Sequence, residues 1–313
     1  MTRRLITLSK ESVMYSFDPD LNPVAFAQPG DLLEVNTMDA LGGQVRSEED
    51  LVTSIDFNKV NPATGPIYVM NAEPGDALVV RILKIETADK GFVITAPGAG
   101  VLTSLVKQAK TRTCYVRGDY VEFLGFKIPA WRMIGVIGVA SKEKPPTGTP
   151  GKHGGNLDTK FITEGATVYL PVIYRGGLLG IGDLHAVMAH GEACVAACEV
   201  EGKVLVEIDL LKNTAPLWPV VEYKDSTYIL VSTDNINNSL EVATDVSVRV
   251  LSTALGIEWH DAYMLTSLSI DLGISQLVDP KKTAWARIPK YILGSMDVIK
   301  ALAELRKNQE LWL

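Results

Sequence analysis

Histidine and cysteine are the scarce residues of this 313-residue chain, with four of one and three of the other. Cys114, Cys194 and Cys198 are too few, and odd in number, for a disulfide framework, so a reducing, cytoplasmic setting is expected. Cys194 and Cys198, four apart, read as small buried residues that a helix would put on one face. No run of about 18 uninterrupted apolar residues occurs, so no membrane span is expected. No apolar segment with a small-residue cleavage site follows Arg3 and Arg4, so no secretory leader is expected either. A basic stripe with interleaved aromatics is also missing, and the net charge is −7; nucleic acid is therefore not the expected partner. With 47% hydrophobic and 21% charged residues, the composition is that of a globular protein with a large core and a small ligand.

Short apolar or alternating runs bounded by Gly, Pro, Asn and Asp fill the first 210 or so residues. "DLLEVNT", "GPIYVM", "DALVVRILKIET", "RTCYVRGDYVEFLGFKIP", "MIGVIGVAS", "ATVYLPVIY" and "KVLVEIDLL" all predict strands. Two share a phrase, "QPGDLLEV" from Gln28 and "EPGDALVV" from Glu73. Pro-Gly suits the centre of a type II turn, with the aspartate opening the next strand. Beyond about Pro219 the spacing changes. After a "STYILVST" strand, "NNSLEVATDVSVRVLSTALG", "EWHDAYMLTSLSIDLGISQLVDP" and "YILGSMDVIKALAELRKNQELW" carry apolar residues at helical spacing. The expected fold is mainly β with an α+β C-terminal part: a β-sandwich or barrel-like core covered by C-terminal helices. The expected division is a β-rich catalytic region over 1–211 and an α+β region over 212–313.

Three of the four histidines fall between Lys152 and Gly191. His153 lies in "SKEKPPTGTPGKHGGNLDTK", a 20-residue stretch without apolar periodicity, which in a compact domain marks either disorder or a functional loop. His185 lies in "GDLHA", where Asp183 and His185 on a strand point to the same side and suit Zn²⁺ or a similar ion. Glu192 and His190 follow closely enough to serve as a further ligand or a base. Asp39, in "NTMDALGGQ", reads by default as a turn aspartate capping local amides, and His260 as a structural residue or a partner of Asp261. Spacing alone permits a metal-assisted hydrolase without singling it out.

The phrases "VNTMDALGGQ", "NPATGPIYVMNAEPGDALVVRI", "KHGGNLD" and "GDLHAVMAHGE", in that order, with "GISQLVDP" later, resemble the acetamidase/formamidase family over most of the chain. The resemblance implies hydrolysis of short aliphatic amides to a carboxylate and ammonia, with a divalent ion, Zn²⁺ before Ca²⁺. Carried over, Asp39, Asp183 and His185 become the expected metal ligands and Glu192 the base. His153 and Asn156 match the family's "HGGN" phrase and are expected to donate to the oxyanion. Gly154, Gly155, Asp158 and His190 are expected at the substrate. One stretch departs from the family: Met188 stands where a polar residue is usual, and His190 where a small one is. A cyclic amide such as a γ-lactam, or a non-catalytic small-molecule or metal-binding member of the fold, is the alternative. The expected partners are a small amide and a second copy of the chain in a homodimer.

Overall fold

The structure is a computed structural model and describes residues 3–308. Two sheets face each other, and helices pack behind one of them. The first sheet has nine strands, in spatial order Leu5–Leu8, Leu32–Thr37, Gly202–Leu211, Ala77–Thr87, Thr167–Pro171, Val220–Tyr223, Ser226–Thr233, Lys282–Pro289 and Asp271–Gln276. It runs without a break from strands of the first 211 residues into those that follow.

The second sheet has eleven strands. Its main run is Phe126–Pro129, Tyr120–Phe123, Lys110–Arg117, Lys90–Thr95, Glu199–Val200, Leu179–His185, Met133–Gly138 and Gly154–Asn156. Ala63–Val69 joins beside Leu179–His185 and carries Val13–Met14 and Ala25–Ala27. The sheets do not close on themselves, so of the two expected architectures the sandwich is the one formed.

Alternation along single strands explains both layers. In "STYILVST" Tyr228 and Leu230 enter the core between the sheets, while Ile229 and Val231 enter a second core beneath the helices. The strand is buried on both faces, which is why it reads as a nearly continuous apolar run. Helix α1 (Ile236–Leu255) starts on the Asn235 side chain, which accepts from Asn238 N at 2.9 Å, and ends at left-handed Gly256. Helices α2 (Trp259–Ser269) and α3 (Ser295–Lys307) follow. Residues 309–312 of the third expected helix lie outside the described residues.

The expected helix over "EWHDAYMLTSLSIDLGISQLVDP" is corrected: it stops at Ser269, and Asp271–Gln276 becomes an edge strand. Gly273 is the physical reason for close pairing there, because any side chain at that position would run into the Trp285 ring of the neighbouring strand. Exposed His260 on α2 places Nδ1 3.4 Å from Glu258 Oε1, which is the carboxylate it pairs with.

The shared "PGD" phrase is a repeated turn. At both places the aspartate N–H donates at 3.0 Å to the residue before the proline, Gln28 or Glu73. Gly30 and Gly75 hold φ of +90° and +98°, as the third position of a type II turn demands. The carboxylates of Asp31 and Asp76 then accept from Gln28 N and Glu73 N.

Candidate active site

The strand Leu179–His185 changes its neighbour midway. Gly182 pairs with Ala63, but Leu184 and His185 pair with Val200 and Glu199. Asp183 sits at the switch with φ +54°, a left-handed conformation that aspartate tolerates better than most residues. The bend keeps its carboxylate on the side of His185: Asp183 Oδ1 is 3.1 Å from His185 Nε2. Glu199, directly opposite His185 in the pairing, brings Oε2 to 3.2 Å from the same nitrogen. Asp158, just past the strand Gly154–Asn156, places Oδ1 3.8 Å away.

On the other side lies Gly135, which has no side chain; a Cβ there would overlap the carboxylates of both Asp183 and Asp158. Two triads result, Asp158/Asp183/His185 and His185/Glu192/Glu199, each with its candidate ligand atoms within 4.8 Å of one another.

One loop completes the cluster. Gln276 Oε1 accepts from Val278 N and Asp279 N, fixing the turn that carries Asp279. Asp279 lies against Asp158 and Asn156, with Oδ2 sealed from solvent. The same segment pins the "HGE" turn, with Gly191 N donating to Ser275 O at 2.7 Å and Leu277 N to Gly191 O at 3.1 Å. Ser275 Oγ also meets Thr159 Oγ1 at 2.7 Å, tying down the loop after Asp158.

Five carboxylates (Asp158, Asp183, Glu192, Glu199, Asp279) therefore crowd around one imidazole away from water. Burial, and then the Asp183 charge, pushes Asp158 up to about 6. Burial drives Glu199 to about 8, and Glu192 and Asp279 well above the usual carboxylate range. Burial also works against charge on Asp183 and His185, but the His185 charge leaves Asp183 below its ordinary value, and the charges of Glu199 and then Asp183 leave His185 well above its own.

Even so, both oxygens of Asp158, Asp279 Oδ2, Asn156 Oδ1 and His185 Nδ1 lack a well-formed hydrogen bond. A buried acceptor without a donor costs about 1–3 kcal/mol, more when charged. A cation answers several of them at once, and oxygens with one imidazole are a donor set that suits a divalent ion. The residues present fit the metal that the resemblance implies.

Several expected site residues are brought together and others are not. Asp183, His185, Glu192, Asn156 and Asp158 converge, with Asp158, expected at the substrate, lying among the candidate ligands. Asp39 does not join them: its Oδ1 accepts from Leu41 N at 2.8 Å and Gly43 N at 3.3 Å, the local cap of a turn aspartate. His153 is corrected as well. It packs edge-on against Phe17 at 5.0 Å and borders a separate cavity with Lys152, Trp218 and Arg306; burial holds it down at about 4, hence neutral. Gly154 and Gly155 serve the fold, since a side chain at Gly154 would strike Ile137 O of the paired strand and one at Gly155 would strike Thr149 O. His190 is exposed and lies 5.3 Å from Phe161 and 5.8 Å from Trp285.

Sequence reasoning missed Glu199, Asp279 and Gly135. Glu199 alternates correctly in "CEVEGK" but becomes meaningful only through its pairing with His185. Asp279 stands in "GISQLVDP", a phrase that marks the resemblance without marking a role.

The fold and the cluster define a β-sandwich protein built around a sealed carboxylate–imidazole centre. The chain belongs to the Acetamidase/Formamidase family, whose profile matches residues 3–148 and 141–294. It is 30% identical to a formamidase of Methylophilus methylotrophus, over 62% of this chain and 63% of that protein, so the match spans less than two thirds of the relative. Among solved structures, an acetamidase from Bacillus halodurans is 38% identical with a TM-score of 0.89, covering 91% of this chain and 98% of its own. A recombinant predicted acetamidase/formamidase from Thermoanaerobacter tengcongensis is 39% identical with a TM-score of 0.90, covering 95% and 99%.

Proposed function

We propose that this chain hydrolyses simple carboxamides to a carboxylate and ammonia at the cluster around His185, with a divalent ion bound there. The observation that carries the reading is the set of sealed, unpartnered carboxylate oxygens facing one imidazole, in a chain whose relatives are named formamidase and acetamidase. Asp158, Asp183, His185 and Glu199 would hold the ion, with Asp158 and Glu199 in the place expected of Asp39. Zn²⁺ is the first choice and Ca²⁺ the second. When bound, such an ion polarises a carbonyl oxygen and makes water nucleophilic near neutral pH.

The chain's own groups do the rest. Glu192 belongs to the cluster and also lines the cavity outside it, so it stands between the ion site and any substrate. Glu192 would be ionised with the ion's positive charge beside it, and as the oxygen of water adds to the amide carbon it takes a proton from that water. It returns the proton to the amide nitrogen, which leaves as ammonia when the C–N bond breaks. Asn156, buried beside Asp279, offers its amide N–H₂ to the carbonyl oxygen as negative charge develops there.

Metal analysis of purified protein, with ammonia release from formamide, acetamide and a small lactam before and after chelation, tests the reading. Release from the open-chain amides that chelation abolishes and Zn²⁺ restores is expected. Full activity in metal-free protein would refute the ion, and no release from any amide would refute the reaction.

A further inference from the structure

Glu192 opens onto a cavity of about 600 Å³ whose walls are almost wholly apolar. Val93, Phe123, Ile128, Trp131, Val187 and Met188 form most of it, with alanines and cysteines between them. The charged side chains of the lining are buried Glu192 and Lys160, whose Nζ lies 5.0 Å over the Trp131 ring. Acetamide has four heavy atoms. At about 30 Å³ per water-sized group it fills roughly 120 Å³, about a fifth of this space. The remainder would hold water against apolar walls, the arrangement from which an apolar group gains most.

Met188 and His190 both border the cavity. Met188 is buried against Met133 and Ala197, so an apolar thioether lines the wall. A flexible, polarisable side chain suits a large apolar guest better than a one-carbon one.

We propose that this cavity takes the acyl substituent of the substrate and that the preferred amides carry an apolar chain or ring of about six carbons, as in phenylacetamide or hexanamide. The inference rests on the amidase reading of Glu192, and it assigns that site its substrate class. The carboxamide carbon sits at Glu192, and the apolar substituent lies along Trp131, Phe123 and Ile128 toward the hairpin Tyr120–Pro129.

Steady-state ammonia release from acetamide, hexanamide and phenylacetamide is the first measurement. A kcat/KM for phenylacetamide at least about tenfold above that for acetamide is expected, since single apolar groups in a fitted pocket already discriminate by that much. Ile128 lies on the exposed hairpin, so I128W can fill the cavity without entering the inter-sheet core; it is expected to reduce that ratio toward one. V187F, on a different wall, gives the same test if the first variant does not fold. A parent enzyme that cleaves acetamide as well as phenylacetamide overturns the proposal.

Calorimetric titration of phenylacetamide into E192Q separates the two readings. Should no amide be cleaved, the amidase reading falls. Saturable binding that I128W weakens would still support the cavity assignment, and no binding would overturn it.

Discussion

Gly135 offers the sharpest test of the cluster, because its effect is steric and aimed at two carboxylates. Its backbone does not lie in the left-handed region, so alanine meets no conformational penalty there. The added methyl group would instead overlap the carboxylates of both Asp183 and Asp158. Both carboxylates must turn away, at about 1–3 kcal/mol of overpacking strain.

The larger effect falls on the ion. Disturbing the groups that orient a metal ligand costs about 10–100-fold in affinity. At a metal concentration of about 100 Kd, binding stabilises the parent by about 2.7 kcal/mol; after a 100-fold loss the same concentration gives about 0.4 kcal/mol. A chain of this length has an unfolding entropy of roughly 0.66 kcal/mol/K near Tm, so the Zn²⁺-induced rise in Tm should drop from about 4 °C to under 1 °C. Differential scanning calorimetry of parent and Gly135→Ala, each metal-stripped and then loaded, reads this directly. An undiminished Zn²⁺-induced shift in a folded Gly135→Ala protein would refute the assignment of Asp158 and Asp183 as ligands.

Three further outcomes are expected. Glu192→Gln should keep its metal by elemental analysis yet lose about two to four decades of amide hydrolysis; a metal-poor variant would make Glu192 a ligand instead of the base. Asp39→Asn should retain metal content and activity, since the carboxylate serves its own turn; loss of metal would return Asp39 to the ligand set. Asp76 accepts from Glu73 N and Asn213 N, each at 2.9 Å, and pairs with Lys212, so Asp76→Ala should cost about 2–4 kcal/mol in urea unfolding. Burial pushes Asp76 up, but Lys212 and the two amides outweigh it, leaving its carboxyl below the ordinary value. The stabilisation is then complete above the unfolded carboxyl's value of about 3.9 and is lost as pH falls through the lower folded value, so the Asp76→Ala deficit should vanish on strong acidification.

How much of this was legible beforehand depends on the range of the interaction involved. Turn-bounded strands, the helix capped by Asn235 and the twin "PGD" turns are written in residues a few positions apart, and they form where the sequence puts them. Asp183 and His185 were readable for the same reason, as i and i+2 of one strand. Glu199 and Asp279 were not, since Glu199 reaches His185 by strand pairing and Asp279 arrives on a loop nearly a hundred residues away in the chain. His153 misled because a histidine among glycines suggests an open pocket. Its glycines are there to let the strand Gly154–Asn156 lie against Met133–Gly138. Asp39 misled because a turn cap and a metal ligand look the same in a short acidic phrase.

The backbone supplies an argument that composition could not. Asp158, Asp183 and Glu192 hold φ of +40°, +54° and +46°, so three of the five clustered carboxylates sit in left-handed conformations. Each such residue costs of order 1–3 kcal/mol unless its surroundings fix it. A glycine at each position would relieve that strain but remove the carboxylate, so the fold bears both the conformational cost and the repulsion among the charges it gathers. A core chosen for stability alone would replace these groups with apolar ones. The surrounding structure instead holds them in place, through Gly135, the Gln276-braced loop and the partner switch at Asp183. Strained backbone and crowded carboxylates meet in one centre, and a divalent ion bound there would offset the repulsion while the strained backbone set the geometry.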